Sequence, residues 1–301
     1  MKKTLRIYQV DAFTNEKFKG NPAGVVANAD GLTEQEMLNI ARELNNSETA
    51  FILSADDASH DVHIRYFTPT TEVPICGHAT IAAHYVRSIE NQLPTSTVYS
   101  KSQIGILPIH IEKRAGDYAI TMEQGEILFN DPLEVGLRLQ ILDALHLTEL
   151  DLDPSCHMQI FTLGLSKVII GIKSRTTLNQ LSPDLVKLSE LSEKINCNGF
   201  FIFTFDSPDE GILTHARMFA PAIGIDEDPV TGVANAPLGA YLIKHQLVEH
   251  DGKQFSFYAE QGSAMGRSGQ MTVTVDIENN EPIHVQIKGN AVIVFKTECT
   301  L

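Results

Sequence analysis

Apolar residues follow two different periods along this chain, and the two periods alternate from segment to segment. Short runs rich in β-branched and aromatic residues predict strands; they include KVIIGI (167–172), FFIFTF (200–205), MTVTVDI (271–277) and AVIVFK (291–296). Longer segments predict helices; they are LTEQEMLNIARELN (32–45), GHATIAAHYVRSIE (77–90), SPDLVKLSELSEKI (182–195) and TGVANAPLGAYLIKHQL (231–247). Strands and helices interspersed in this way predict an α+β protein.

The same pattern occurs twice. The segment EVPICGHATIA (72–82) aligns without gaps with EDPVTGVANAP (227–237), and RYFTPT (65–70) and RMFAPA (217–222) precede the two copies. Upstream, NNSETAFIL (45–53) has its counterpart in NCNGFFIFT (196–204), in the same order. Related landmarks half a chain apart are typical of a duplicated domain. We therefore predict two similar α+β domains.

Domain boundaries follow from local composition. The segment QGEILFNDPLEVG (124–136) gathers Gly, Asn, Asp and Pro, so we place the first domain at 1–125 and the second at 126–285. This division allows the C-terminal strand, about 286–301, to pack back on the first domain. The second helix of each domain carries small residues in its first turns, which predicts a central helix packed closely on surrounding strands.

Composition restricts the partners and the compartment. The 301 residues include 23 basic and 38 acidic side chains, and a net charge of −15 repels nucleic acid and anionic membrane surfaces. The four cysteines lie far apart without C-x-x-C spacing, so neither a disulfide framework nor a zinc ribbon is indicated. Neither a signal-peptide pattern nor a membrane-length apolar stretch occurs, so we expect a cytoplasmic protein.

The helix starts at Gly77 and Gly232 are candidate anion sites. The first turn of a helix has backbone N–H donors without internal partners and carries the positive end of the helix dipole, which suits a carboxylate. Glycine lets a ligand approach the backbone closely. If the domains face each other, both starts line one cleft for an anionic substrate; the alternative is two ordinary tight turns.

Three ionisable side chains break the symmetry of the repeat, and we predict that they are catalytic. They are Glu48, His78 and Asp228, which align with Asn198, Val233 and Val73. His78 is suited to donating or shuttling a proton, and Asp228 to acting as an acid or base or to orienting His78. The structural alternatives are an ordinary buried histidine and a solvated turn acid.

Other chemistry is not indicated by the motifs. Cys76 aligns with Thr231, so no thiol pair forms across the repeat, and we interpret Cys76 as a small buried residue. The histidines of HDVH (60–63) fall on opposite faces of a strand-like run, and no Walker, G-x-G-x-x-G or G-x-S-x-G motif is present. We predict neither a metal nor a nucleotide cofactor.

Five motifs together resemble the PhzF, or phenazine-biosynthesis-like, family. They are YQVDAFTNEKFKGNPAGVV, NNSETAFI, RYFTPTTEVPICGHAT, EDPVTGVAN and QGSAMGR, in the family's order over nearly the full length. The resemblance implies the diaminopimelate epimerase fold, in which two domains each wrap a sheet around a central helix, with the active site between them. It also implies a homodimer that uses no cofactor.

The resemblance also implies residue roles. Glu48 matches the glutamate that moves a carbon-bound proton in the phenazine enzyme, and His78 and Asp228 match the family's histidine and aspartate. We assign Ser47, Gly77, Gly232 and Val233 to substrate binding. Val233 stands where many relatives have Ser, which implies a more apolar pocket. Related epimerases use one cysteine from each half, and Pro229 lies near the second of those places, so that mechanism is excluded.

Three functions follow from these observations. The leading hypothesis is a cofactor-independent isomerase in which Glu48 removes and returns a carbon-bound proton on a small carboxylate-bearing substrate. The second is an amino-acid racemase or epimerase that uses Glu48 with Asp228 or His78. The third is a noncatalytic protein that binds a small acid.

Overall fold

The computed structural model describes residues 3–301 and divides into two compact units. The first unit runs to Glu123 and also contains Lys288–Leu301, whereas the second is the continuous segment Gln124–Ile287. Within residues 3–301, no helix combines the length and the apolar character that crossing a membrane requires.

Strands of the first unit surround one long helix. In chain order, the elements are β1 (Thr4–Ala12), β2 (Asn21–Val26), α1 (Glu34–Leu44), β3 (Thr49–Ser54), β4 (Val62–Phe67), β5 (Glu72–Val73), α2 (Gly77–Asn91), β6 (Ser96–Ser102), β7 (Gly105–Arg114) and β8 (Asp117–Glu123). Helix α2 is buried almost throughout its first three turns and packs against β1, β2, β3 and β8.

The second unit follows the same plan with two more helices. Its elements are β9 (Leu128–Pro132), α3 (Val135–Ala144), β10 (Gln159–Leu163), β11 (Leu165–Gly171), α4 (Arg175–Gln180), α5 (Leu185–Ile195), β12 (Phe200–Thr204), β13 (Ile212–Ala220), β14 (Ile225–Asp228), α6 (Gly232–Lys244), β15 (Gln254–Gln261), β16 (Gly269–Glu278) and β17 (Glu281–Gly289). Helix α6 is the buried central helix, and α3, α4 and α5 cover a separate apolar core on the outer side of the strands.

Strand pairing confirms that the two units share one topology. In the first unit, β1–β2 is antiparallel, β2–β3 parallel, β3–β4 antiparallel, β4–β6 parallel and β6–β7 antiparallel. In the second, β10–β11, β11–β12, β12–β13, β13–β15 and β15–β16 repeat that alternation. The predicted α+β class with a central helix in each half is therefore confirmed.

The last strand, β18 (Ala291–Thr300), pairs antiparallel with β1. In the second unit, β9 pairs with β10, the strand that corresponds to β1. Each first strand thus gains a neighbour from the segment that follows the other half of the repeat.

Candidate active site

Glu48 lies immediately before β3, in a segment that is held on both sides. The side-chain amides of Asn46 and Gln9 donate to each other, both at 2.9 Å, and the backbone N–H of Gly24 donates to the carbonyl of Glu48 at 3.3 Å. The Glu48 side chain is 15% exposed. Its carboxylate is therefore positioned by the fold, and little of it faces solvent.

His78 lies in the first turn of α2 and faces Glu48. Its Nε2 is 3.4 Å from Glu48 Oε2 and 3.4 Å from Ser47 Oγ, while Cys76 Sγ lies 3.4 Å from Nδ1. The structure therefore brings together four residues that the chain separates by up to 31 positions. A carboxylate beside an imidazole at the edge of a helix start can accept a proton and pass it on.

The start of α2 leaves room for a ligand. Cys76 is the N-cap residue and makes no side-chain capping hydrogen bond. A Cβ atom added at Gly77 would meet nothing within 4 Å. The turn is held from behind, because Thr80 Oγ1 donates to the Cys76 carbonyl at 2.7 Å and also contacts the Tyr66 hydroxyl at 2.7 Å. Backbone amides at this position are arranged to receive an anion.

The repeated Arg-x-Phe motif builds the turn before each central helix. Arg65 donates two hydrogen bonds to Glu72, at 2.7 and 2.6 Å, and Arg217 donates two to Glu227, both at 2.8 Å. Each guanidinium also lies over the Phe two residues later, 5.1 and 4.8 Å from the ring centroid. The hydrogen bonds from Arg65 hold the pKa of Glu72 below its usual range. The motif therefore has a structural role, because each arginine holds the turn that precedes a central helix.

In the second unit, Asp228 is fixed at the start of α6. The Thr231 hydroxyl donates to Asp228 Oδ2, and Gln261 Nε2 donates to the Asp228 carbonyl at 2.7 Å. Gln261 Oε1 also accepts from the Thr231 backbone N–H at 3.1 Å. Gly232 and the half-buried Val233 follow as the first residues of the helix. The sequence did not predict this role for Gln261; its only signal was its place at the head of QGSAMGR.

The site contains ligand types that could also hold a metal. One atom each of Glu48, Cys76 and His78 lies within 4.8 Å of the others. The sequence pattern does not reveal this set, because Cys76 aligns with Thr231 and is interpreted there as a small buried residue. Cys76 is indeed buried.

Comparison with known proteins identifies similar chains. The family model described as phenazine biosynthesis-like protein matches residues 10–297. An uncharacterized isomerase of Clostridium acetobutylicum is 56% identical, with 98% of each chain covered. The trans-2,3-dihydro-3-hydroxyanthranilate isomerase of Pseudomonas chlororaphis is 30% identical over 94% of this chain and 95% of its own. A PhzF family crystal structure from Bacillus anthracis superimposes with a TM-score of 0.89 at 32% identity, covering 99% of this chain and 100% of that one.

Proposed function

The chain belongs to the phenazine biosynthesis-like family of isomerases, and from that premise we propose that Glu48 moves a proton between carbon atoms of a small carboxylate-bearing substrate. The contact between Glu48 and His78 at the start of α2 is the observation that carries the proposal. The family and the isomerase class were both predicted from the sequence, and the relatives confirm them.

Each group in the first unit has a distinct task. Glu48 removes the proton from carbon, and its limited exposure keeps water away from the carboxylate that must act as a base. His78 exchanges protons with Glu48 across the 3.4 Å contact. Ser47 and the backbone at Gly77 bind the substrate, where N–H donors stabilise the negative charge that develops as the proton leaves.

Asp228, Gly232 and Val233 are assigned to the same reaction. The Thr231 hydroxyl holds the Asp228 carboxylate in one orientation, so it is suited to act as a second acid or base. The helix start at Gly232 offers amide donors to an anionic group of the substrate. Val233 has an apolar side chain at a position where a serine hydroxyl would form a hydrogen bond with a polar substrate. The valine therefore favours a less polar substrate at this position.

Isomerisation and racemisation use the same base and differ in their products. Groups at equivalent positions of the repeat differ, because His78 aligns with Val233 and Glu48 aligns with Gly199. The pairing of Glu48 with Asn198 predicted from the sequence is wrong by one residue, since Gly24 N–H donates to the Glu48 carbonyl as Val168 N–H donates to the Gly199 carbonyl. A racemase treats two mirror-image faces of its substrate alike, whereas a proton shift along a carbon skeleton needs different groups at its two ends. The unequal pairs therefore favour isomerisation.

Proton exchange in D₂O tests the proposal. We expect the protein to incorporate deuterium at carbon when it is incubated with trans-2,3-dihydro-3-hydroxyanthranilate or with a panel of unsaturated carboxylates, as followed by mass spectrometry. The Glu48→Gln variant keeps the shape but cannot accept the proton, so the rate should fall by about 10²–10⁴-fold. Full activity in Glu48→Gln would remove Glu48 from the mechanism, and a chirally inverted product would establish racemisation instead.

Two further properties belong to the proposal. The reaction is expected to need no cofactor, so dialysis against chelator should leave the rate unchanged. The protein is expected to be a homodimer, which light scattering would measure as a mass near twice the 33.2 kDa of the chain.

A further inference from the structure

A buried lysine in the second unit has no counter-ion among residues 3–301. Lys167 lies on β11 and is 4% exposed. Its Nζ donates to the carbonyl of Leu165 at 3.3 Å and lies 5.9 Å from the centroid of the Phe161 ring. Among residues 3–301, no carboxylate oxygen comes within 4.0 Å of this ammonium. Burying an ammonium without an opposite charge is unfavourable, so proteins rarely retain one without a use for it.

Lys167 faces the central helix of its unit. Val168 and Ile170 belong to the outer core under α3, α4 and α5, so by strand alternation Lys167 points to the opposite side. On that side, Phe203 of the neighbouring strand β12 contacts Tyr241 of α6, with ring centroids 6.1 Å apart. The ammonium is therefore inside the unit, on the α6 side of the sheet.

Lys167 also lies at the end of the sheet where α6 begins. The register of β11 with β12 places residue 167 beside Gly199, which lies against Met218 of β13. Met218 pairs with Asp228, the last residue before the turn into α6. Burial lowers the pKa of the Lys167 ammonium to about 8, while electrostatic interactions with Cys197 and Asp228 act in the opposite direction. The Asp228 carboxylate therefore attracts the ammonium electrostatically, although the two groups do not form an ion pair within 4.0 Å.

The repeat makes this position informative. Gly24 N–H donates to the Glu48 carbonyl in the first unit, and Val168 N–H donates to the Gly199 carbonyl in the second. Gly24 therefore corresponds to Val168, and Lys167 corresponds to Ala23. Ala23 is also fully buried, but it carries no charge. Only the second unit therefore carries an ammonium at this position of the repeat.

We propose that Lys167 is an anion-binding residue of the second unit and that its ligand is the carboxylate of the substrate. The identity of the anion rests on the proposed function, whereas the anion site itself rests on the unpaired buried ammonium. A bound carboxylate supplies the missing opposite charge.

Thermal denaturation with small anions tests the site. The probes are acetate, benzoate and anthranilate, with aniline as the uncharged analogue of anthranilate. We expect at least one carboxylate to raise the Tm of the full chain at pH 7, aniline to have no effect, and Lys167→Met to lose the shift. Lys194→Met removes an exposed lysine of α5 as the control and should keep it. A native protein that no probe stabilises, or an unchanged shift in Lys167→Met, would overturn the proposal.

A second measurement uses the native protein and so does not depend on how the variant folds. The Lys167 ammonium can be titrated by NMR, and its pKa should rise when a carboxylate probe is bound. An unchanged pKa in the presence of a probe that raises the Tm places the anion elsewhere and rejects the site. Neither readout requires turnover. If Glu48→Gln keeps full activity while the probes still stabilise the native protein and not Lys167→Met, the proposed base is wrong and the anion site stands. If Glu48→Gln loses activity but the probes fail to stabilise the native protein through Lys167, only the anion site is rejected.

Discussion

Cys76 and Thr231 occupy the same position of the repeat and contact different partners. The Cys76 sulfur lies beside the imidazole of His78, whereas the Thr231 hydroxyl donates to Asp228. Each residue therefore supports the ionisable group of its own unit. This explains why the motif keeps a small polar atom at the N-cap although the chemistry of the two copies differs.

A first prediction concerns zinc. Thiolate, imidazole and carboxylate are preferred Zn²⁺ ligands, and Glu48, Cys76 and His78 offer one atom each within 4.8 Å. Micromolar Zn²⁺ should inhibit turnover by occupying the base, and chelator should restore it. Cys76→Ser should keep activity within about tenfold and weaken the inhibition, because a hydroxyl is a poorer zinc ligand. Equal inhibition of both proteins would show that zinc binds at another place.

His84 gives a second prediction, on stability. This side chain is fully buried in α2, and within residues 3–301 neither ring nitrogen has a hydrogen-bond partner. Burial, with a smaller effect of the Arg87 charge, lowers its pKa from 6.5 to about 3. The unfolded chain therefore binds the proton first, so the stabilisation is complete above pH 6.5 and is lost as the pH falls toward 3.

Urea unfolding between pH 7 and pH 5 measures this loss. The His84 contribution to the free energy of unfolding should fall by about 1.4 kcal/mol per pH unit below pH 6.5. His84→Leu should remove that part of the slope, whereas His157→Gln, at an exposed histidine, should retain it. Parallel pH profiles for the native protein and His84→Leu would contradict the prediction.

The sequence shows some of the candidate residues and hides others for a physical reason. Glu48, His78 and Asp228 could be found from the sequence because each is an ionisable residue that aligns with a non-ionisable residue in the other copy of the repeat. Lys167 is part of an apolar strand pattern, in which one lysine usually marks a solvated edge. Gln261 acts through its contacts with the start of α6, and sequence spacing does not reveal such contacts.

Among the elements, helix α1 could be predicted from the periodicity of apolar residues, and helix α3 could not. The pattern over 32–45 predicted a helix, and the structure confirms it as Glu34–Leu44, with Thr33 and Glu36 forming a capping box at its start. Helix α3 (Val135–Ala144) was not predicted, because Leu and Ile residues are spread around its circumference and it follows a segment rich in turn formers. A helix without a clear polar face leaves little periodic signal.

The start of α2 gives a prediction at the scale of elements. If its amides bind the substrate, a methyl group at Gly77 intrudes into the space of the ligand and not into the protein, because nothing lies within 4 Å. Gly77→Ala should leave the Tm within about 2 °C and raise KM at least tenfold, an effect of about 1.4 kcal/mol on binding. Gly136→Ala, in the first turn of α3 and equally open, is the matched control and should change neither. An unchanged KM in Gly77→Ala would place the ligand away from this helix start.

For the whole molecule, the decisive feature is that the first unit is built from two segments that lie far apart in sequence. Strand β1 lies between β2 and β18, and β18 comes from residues 291–300. A fragment of residues 1–123 therefore lacks the outer neighbour of β1. It should show no cooperative unfolding transition by circular dichroism, whereas the continuous fragment 124–287 should show one. Fusing residues 288–301 to the first fragment should restore the transition; a cooperative transition without them would show that β18 is dispensable.

The pairing of β1 with β18 also sets the order in which the protein is completed on the ribosome. At about 5–20 residues per second, roughly 15–60 s pass between the synthesis of β1 and that of β18. During this interval the second unit can fold, whereas the nascent first unit still exposes one unpaired edge of β1 to other chains. Ribosomes that stop before residue 291 would therefore damage the half of the molecule that was translated first, which is the half that carries Glu48 and His78.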